Sequence, residues 1–163
     1  MRRVVFDSNA IDPIADTPGA YEALRGAADR GRLEVLYTHV TIDELSAIPN
    51  PERREQLLAC MTGLGRPVPT GAFVLDHSQL GFARLGDEAG SAALENLRSG
   101  AVAHTSDGLI ASTARYEGCA LVTNETTRLP NRAREEGLEV ISSKELLAEF
   151  GFPPPERQAP AST

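Results

Sequence analysis

Short runs of apolar residues alternate along this chain with longer stretches in which apolar residues recur every three or four positions. The runs predict buried strands, and the spaced pattern predicts amphipathic helices. The predicted strands are residues 4–6, 33–37, 73–75, 121–122 and 138–141. The predicted helices are residues 20–30, 41–47, 51–62, 79–85, 91–97, 106–117, 127–136 and 143–150. Strands that alternate with helices are typical of an α/β fold in which helices flank a central parallel sheet.

Chain length and turn residues predict one folded domain followed by a short tail. With 163 residues, of which 41% are hydrophobic, the chain can bury one ordinary core, and we assign residues 1–151 to this domain. Residues 63–71, GLGRPVPTG, predict a loop. The tail 152–163, FPPPERQAPAST, is polar and rich in proline, so we expect it to be disordered. Three glycines stand where a left-handed residue would end a predicted helix: Gly31, Gly118 and Gly137.

The charge of the chain limits how it can bind a polyanion. Its formal net charge is −7 and its pI is about 5.0, which argues against a domain that holds nucleic acid by a general positive field. A polyanionic substrate would therefore need a bound cation or a local patch of the 16 basic residues. All of these except Lys144 are arginines.

The cysteines and the apolar runs predict a cytoplasmic protein. Cys60 and Cys119 lack the spacing of a metal or redox site, so we interpret both as small core residues in a reducing compartment. The first residues, MRRVVFDSNAID, contain an apolar run of only three residues and do not resemble a signal peptide. No run in the sequence approaches the roughly 18 apolar residues that a membrane span requires.

Two acidic residues follow predicted strands. Asp7 stands directly after the first strand, and Glu125 follows the strand that leads into Thr123 and Asn124. The carboxyl ends of parallel strands share one edge of a sheet, and ligands collect at that edge. We therefore expect Asp7 and Glu125 to lie on the same side of the molecule.

Two further acids are predicted to reach this edge from helices. Glu44 falls between Val40 and Ile48 on the apolar face of its helix, whereas Asp43 points away and is interpreted as solvated. A carboxylate on an inward face is costly to desolvate unless a positive charge meets it. Asp107 lies in the first turn of its helix, a position that the helix dipole favours for any acid.

A group of four carboxylates at one edge predicts a metal site. Like charges in one pocket repel and require a counter-ion, and an all-oxygen ligand set suits a hard cation such as Mg²⁺ or Mn²⁺. Such an ion can activate water and stabilise charge on a phosphodiester. Each acid alone also has a structural interpretation, as a turn former, an ion-pair member, a helix-start acid or a loop acid. Their order and shared placement favour the site.

Four segments of the chain together resemble the PIN domain family, and within it the ribonuclease toxins of the VapC type. The segments are VVFDSNAI at 4–11, VTIDEL at 40–45, SDGLIASTA at 106–114 and ALVTNETTRL at 120–129. They occur in the order of the family and span most of the chain. The resemblance implies a central parallel sheet, a divalent-metal site and endonucleolytic cleavage of RNA.

The resemblance also implies roles for individual residues. Asp7, Glu44 and Asp107 match the first three metal-binding acids, and Glu125 stands where the family usually has aspartate after Thr-Asn. Glutamate is one methylene longer, so its oxygens would reach the ion differently or through water. Accessory polar groups that orient carboxylates or water are expected at three positions: Asn9, Thr123 and Asn124.

Partners follow from the same resemblance. It implies an RNA substrate, a cognate antitoxin whose peptide lies over the cleft, and a second copy of the chain in a homodimer. A role as another kind of PIN nuclease, outside toxin-antitoxin pairs, stays open at this point.

Arginines after the last acid offer a candidate contact with RNA. Arg128 and Arg132 share one face of a predicted helix and could guide a phosphate towards the metal site. The alternative is an ordinary solvated helix in which these arginines pair with Glu135 and Glu136.

Other chemistries are less well supported by the sequence. A phosphatase of the haloacid-dehalogenase type would need an aspartate where Asn9 stands and a downstream lysine, although Lys144 is the only lysine. A PIN-like binding module with little or no turnover is a third hypothesis, because glutamate stands at position 125.

We interpret three histidines as loop or cap residues: His39, His77 and His104. Three serines lack the GxSxG turn of a hydrolase nucleophile: Ser8, Ser106 and Ser112. The GxxxxGK[ST] loop of nucleotide-binding proteins does not occur in the sequence.

Overall fold

Five parallel strands form the centre of the fold in the computed structural model, which describes residues 1–74, 78, 81–84, 92, 94–97 and 105–152. The strands are β1 (Arg2–Phe6), β2 (Leu33–Tyr37), β3 (Arg66–Pro67), β4 (Ala120–Val122) and β5 (Val140–Ile141). Their order in the sheet is β3-β2-β1-β4-β5. Val4 of the central strand lies opposite Val35 of β2 and Ala120 of β4. This sheet, flanked by helices, confirms the predicted α/β fold.

Helices connect the strands and cover both faces of the sheet. They are α1 (Asp12–Asp16), α2 (Ala20–Asp29), α3 (His39–Ser46), α4 (Pro51–Leu64), α5 (Thr105–Glu117), α6 (Arg128–Glu135) and α7 (Ser143–Glu149). A short 3₁₀ turn, Ser8–Ala10, follows β1, and residues 92 and 94–97 are also helical. Because β1 is covered on both sides, its residues 4–6 form an uninterrupted apolar run rather than an alternating one.

Two apolar clusters lie on opposite faces of the sheet. Val4 and Phe6 belong to one cluster and Val5 to the other, and all three side chains are fully buried. Helical side chains complete each cluster: Leu24 and Leu57 in the first, and Leu109 and Leu129 in the second. Both cysteines are free, partly buried and packed against these clusters, as core residues are.

The third predicted strand is wrong. Residues 73 and 74 are not in a strand, and residue 75 lies outside the described residues. The strand occurs earlier, at Arg66–Pro67, within the segment for which we expected a loop. It is a two-residue edge strand with exposed side chains, and proline is tolerated there because its missing N–H faces away from the sheet. Such a strand carries no hydrophobic signal.

The helix predicted at 79–85 is also wrong where the structure describes it. Gly81 has a φ of 87°, and Ala83 pairs with Thr70 in an isolated bridge, so residues 81–84 form a turn and an extended segment. In the helix predicted at 91–97, the described residues 92 and 94–97 are helical. The short helix α1 was not predicted.

Several smaller expectations can be compared with the structure. The left-handed glycines after helices are confirmed, with φ of 66° at Gly31, 62° at Gly118 and 78° at Gly137. No described helix combines the length and the apolar character that crossing a bilayer requires. The predicted tail from residue 153 onward lies outside the described residues, so the division at residue 151 stays a prediction.

Candidate functional site

The carboxyl ends of β1 and β4 lie side by side where the order of the sheet reverses. From β1 the chain first builds outward to β2 and β3, and later returns to add β4 and β5 on the other side. Ligands of open α/β sheets bind in the crevice at such a switch point. Asp7 and Thr123 follow β1 and β4 directly and stand at this point, and the backbone N–H of Asp7 donates to the Val122 carbonyl over 3.0 Å.

Asp7 is the most buried acid at this edge, with 2% of its surface exposed. Its Oδ1 accepts a hydrogen bond of 2.8 Å from the backbone N–H of Ser8. Its Oδ2 accepts bonds of 2.7 Å from Asn9 Nδ2 and from Thr123 Oγ1. Burial raises the pKa of Asp7, hydrogen bonds from Thr123 and Ser8 oppose that rise, and the charge of Glu125 adds to it. Among the described residues, the donors that fix the direction of this carboxylate are neutral.

A second layer of hydrogen bonds fixes the loops that carry Asp7 and Thr123. Asn9 Oδ1 accepts a bond of 2.7 Å from the backbone N–H of Asn124, and Asn124 Nδ2 donates to the Asn9 carbonyl at 2.9 Å. Asn124 also exchanges two bonds with Ser143 at the start of α7, at 3.0 and 3.1 Å. The Ser143 hydroxyl then donates to the Ala10 carbonyl at 2.6 Å. The ends of β1, β4 and β5 are thus held together.

Glu44 reaches the same edge from α3. Thr38 caps this helix by accepting the Thr41 N–H, and the Thr41 hydroxyl donates to the carbonyl of Phe6, the last residue of β1. The half-buried Glu44 side chain shares a hydrogen bond with the Ser8 hydroxyl. The pKa of Glu44 is raised to about 7, chiefly by burial and also by three negative neighbours, Asp7, Asp107 and Asp43, while the Ser8 bond acts to lower it.

Asp107 comes from the first turn of α5 and is half-buried. Its charge acts on Glu44, which places these two acids in the same electrostatic environment. The buried residues Gly108 and Ala111 let the helix pack closely beside the sheet. Asp43, predicted to be solvated, is exposed.

Glu125 has a structural task as well as a place at the edge. Its Oε1 accepts hydrogen bonds from the Thr127 hydroxyl at 3.2 Å, from the Arg128 N–H at 3.2 Å and from the Leu129 N–H at 3.4 Å. One carboxylate oxygen thus satisfies backbone donors in the first turn of α6. Its charge nevertheless acts on Asp7.

These four residues form what we call the acidic cluster: Asp7, Glu44, Asp107 and Glu125. Electrostatic interactions link Asp7 to Glu44, Glu44 to Asp107, and Glu125 to Asp7. Among the described residues, no group of three or more Asp, Glu, His or Cys side chains is placed so that it could hold a metal ion as it stands. The donor chemistry still fits a hard cation, because carboxylate oxygens dominate the cluster and repel one another. Mg²⁺ commonly keeps several waters and binds only one or two carboxylates directly, so it does not need a closed cage.

The arginines of α6 stay candidate contacts with RNA. Arg132 Nη1 donates to the Leu97 carbonyl at 2.7 Å, so this side chain holds α6 to the neighbouring helical segment. Glu136, considered above as an alternative partner, accepts from Arg115 at 2.7 Å and Asn96 at 2.9 Å. Arg128 is exposed, and its own backbone N–H bonds to Glu125.

Two serines contribute to the site although the sequence analysis gave them no role. Ser8 touches both Asp7 and Glu44, and Ser143 joins the β1 and β4 loops. Ser8 could have been suspected from its position beside Asp7, whereas nothing local marks Ser143. His39 begins α3, is 8% exposed, and has its ring centre 6.2 Å from that of Phe82. The other two histidines, at 77 and 104, lie outside the described residues.

Comparisons with known proteins support the fold. No protein-family model matches the chain, and no curated protein sequence matches it. Among solved structures, VapBC2 from Rickettsia felis, bound to a DNA fragment from its promoter, has a TM-score of 0.55 and 16% identity, with 86% of this chain and 98% of that chain covered. PAE2754 from Pyrobaculum aerophilum also has a TM-score of 0.55, with 17% identity and coverage of 92% and 97%. The chain therefore has the same fold as these two structures, with the central parallel sheet that the resemblance of its four motifs to the PIN domain family implied.

Proposed function

We propose that this chain is a metal-dependent endoribonuclease that hydrolyses RNA phosphodiester bonds at the acidic cluster with Mg²⁺ or Mn²⁺. The observation that carries the proposal is the environment of Glu44, whose pKa is raised to about 7 by burial and by the charges of Asp7 and Asp107. This electrostatic coupling supports a site shared by three acids from separate segments of the chain. Holding like charges together is unfavourable by itself, and strongly perturbed acids cluster at functional sites.

In this proposal Asp7, Glu44 and Asp107 hold the cation, and Glu125 completes the group directly or through water. A cation held there would supply positive charge for the phosphodiester and would lower the pKa of a water molecule. The remaining work belongs to the protein. Thr123 and Asn9 keep Oδ2 of Asp7 in one direction through bonds of 2.7 Å.

The Asn124 and Ser143 bonds serve the same purpose at longer range. They fix the loops after β1 and β4 relative to each other, so Asp7 and Glu125 cannot drift apart when the charge at the cluster changes. The Ser8 hydroxyl positions Glu44 in the same way. Groups that orient carboxylates commonly affect metal affinity or activity by about 10- to 100-fold.

The likeness to the VapBC2 structure supports a second part of the proposal, which is a toxin controlled by a cognate antitoxin. The antitoxin would cover the acidic cluster, and the chain would act in the cytoplasm as a homodimer. A short upstream reading frame with a DNA-binding amino terminus should encode this antitoxin. Co-expression of the two frames should yield a stable complex without RNA cleavage, and a complex that still cuts RNA would contradict this part.

Cleavage of an end-labelled RNA pool by the purified chain tests the enzymatic part. We expect cleavage with Mg²⁺ or Mn²⁺, none with EDTA, and none by Asp7→Asn or Glu44→Gln. Asp43→Asn is the matched control, because it removes an exposed charge from the turn of α3 that also carries Glu44. If Asp7→Asn cleaves RNA as the wild type does, the acidic cluster is not the catalytic site.

A binding module without turnover is the second candidate, and the hydrogen bonds of Glu125 favour it. One oxygen of this acid is occupied by α6, which leaves less of the carboxylate for a metal. Thermal stabilisation by Mn²⁺ without cleavage of any RNA would support the binding module. Hydrolysis of p-nitrophenyl phosphate without RNA cleavage would instead support the phosphatase, although Asn9 occupies the position of its second aspartate and is bonded to Asp7.

A further inference from the structure

A cavity of about 270 Å³ opens beside the acidic cluster, between the carboxyl ends of β4 and β5 and helices α6 and α7. Thr123, Asn124 and Glu125 line it, and the same three residues form the wall of the cluster. The cavity therefore adjoins the cluster, and a substrate bound at the cluster can extend towards it. Pockets for drug-sized ligands usually measure about 300 to 1,000 Å³, so this cavity suits one nucleotide rather than a longer segment.

The lining of the cavity combines apolar walls with a few charged groups. Pro130, Val140 and Ile141 supply apolar surface against which the face of a base can pack. Among the described residues that line the cavity, Arg134 is the one with a positive charge. Arg134 is exposed, and its guanidinium donates a long bond of 3.5 Å to the Val140 carbonyl. It can exchange this bond for a phosphate, which matches the planar fork of arginine.

Glu145 supplies an oriented acceptor on the other side. Its Oε2 accepts from the Ser142 N–H at 2.7 Å and from the Ser142 hydroxyl at 2.8 Å, in a capping box at the start of α7. These bonds lower the pKa of Glu145, so the carboxylate is ionised at neutral pH. An ionised carboxylate only accepts hydrogen bonds. It therefore favours a base edge that carries amino hydrogens.

We propose that this cavity binds one unpaired nucleotide of the RNA beside the bond that is cut, with Arg134 on a phosphate and Glu145 on the base edge. The inference rests on the proposed ribonuclease function and adds a recognition site to it. Single-stranded RNA is commonly read in this way, because splayed bases present their Watson–Crick edges to side chains. Cytosine presents an amino group where uracil presents a carbonyl oxygen, so the cavity favours cytosine over uracil.

Binding of two labelled RNA octamers, all cytidine and all uridine, tests the inference by fluorescence anisotropy. The protein is the full chain carrying Asp7→Asn, a substitution that prevents cleavage, and the buffer contains Mg²⁺. We expect about tenfold tighter binding of the cytidine octamer, as one charged hydrogen bond provides. Arg134→Ala should weaken the binding of both octamers equally and reduce the slope of log affinity against log salt by about 0.7, the value for one phosphate contact.

Two variants separate recognition from folding. Glu145→Gln preserves the capping box, since glutamine also serves at that position, but the amide can donate to uracil and should abolish the preference for cytidine. Arg30→Ala removes the same charge from the opposite, amino-terminal edge of the sheet and should change neither affinity nor slope.

Three results would overturn the inference. The first is that Arg134→Ala has the same RNA affinity and salt slope as Arg30→Ala. The second is that the protein with Glu145 intact binds the two octamers with equal affinity. The third is that Glu145→Gln keeps the preference for the cytidine octamer. In each case the ribonuclease proposal stands if the wild-type chain still cuts RNA with Mg²⁺. If the chain neither binds nor cuts any RNA, both proposals are wrong.

Discussion

Replacing Glu44 by glutamine should stabilise the metal-free protein at neutral and alkaline pH. The reason is that Glu44 is ionised above pH 7 in a half-buried place beside Asp7 and Asp107. A neutral amide of the same shape avoids both the desolvation and the repulsion. Activity would be lost while stability is gained, which is the pattern expected of a residue retained for function.

The magnitude follows from the raised pKa. Between the ordinary value of 4.5 and about 7, the folded protein binds the proton of Glu44 more tightly than the unfolded chain does. The free energy of unfolding therefore falls as the pH rises through this range, and it levels off above pH 7. The rise in the pKa of Glu44 corresponds to a loss of about 3 kcal/mol in the free energy of unfolding. Partial solvent exposure of Glu44 reduces the expected loss to about 1 to 2 kcal/mol.

Urea unfolding in EDTA at several pH values between 4.5 and 8.5 measures this effect. Glu44→Gln should match the wild type near pH 4.5 and exceed it by about 1 to 2 kcal/mol at pH 8. Glu55→Gln, which changes an exposed acid on α4, should follow the wild type throughout. Mg²⁺ should stabilise the wild type at pH 8 and leave Glu44→Gln nearly unchanged. The reasoning is refuted if Glu44→Gln is less stable than the wild type at pH 8, or if its pH dependence equals that of the wild type.

Two further substitutions test how the site is positioned. Thr123→Val should lower the free energy of unfolding by about 1 to 3 kcal/mol, because it removes a hydrogen-bond donor from buried Asp7. Urea unfolding measures this loss, with the exposed Thr126→Val as the control. Equal losses in the two threonine variants would contradict the prediction. Gly71→Ala should lower the free energy of unfolding by about 1 to 3 kcal/mol, because an added Cβ would overlap the Ser112 carbonyl in α5. It should also reduce RNA cleavage, because α5 carries Asp107. Gly26→Ala on α2 meets only the end of the Arg30 side chain and should be neutral or stabilising by up to about 1 kcal/mol, so equal losses in the two glycine variants would contradict the packing argument.

The parts of the fold that could be predicted are those in which local sequence and burial agree. β2 was predicted with its observed bounds, 33–37, because it is an almost fully buried run between polar turns. β3 could not be predicted, because it is short, exposed and made of arginine and proline. The helix predicted at 79–85 was wrong for a different reason. The spacing of that segment resembled a helix, whereas Gly81 turns the chain with a φ of 87°.

The same distinction applies to the candidate site. The helix face on which Glu44 lies could be predicted from the apolar periodicity of α3. The edge of the sheet at which Asp7 lies could be predicted from its position after β1. The bonds that fix them could not, because the Ser143 hydroxyl meets the Ala10 carbonyl across 133 residues of chain. The contact of Arg132 could not be predicted either. Its helical face was identified, but its contact with the Leu97 carbonyl depends on how α6 packs against a distant segment.

Titration of the full chain with Mn²⁺ by calorimetry at pH 6.5, in buffers of different ionisation enthalpy, tests most directly whether the acidic cluster binds a cation. The raised pKa of Glu44 means that this carboxyl group is largely protonated at that pH, so binding should release protons and should release far fewer at pH 8.5. Asp7→Asn should abolish binding. The account would be contradicted if Mn²⁺ did not bind, or if Asp7→Asn bound it with the affinity and proton release of the wild type.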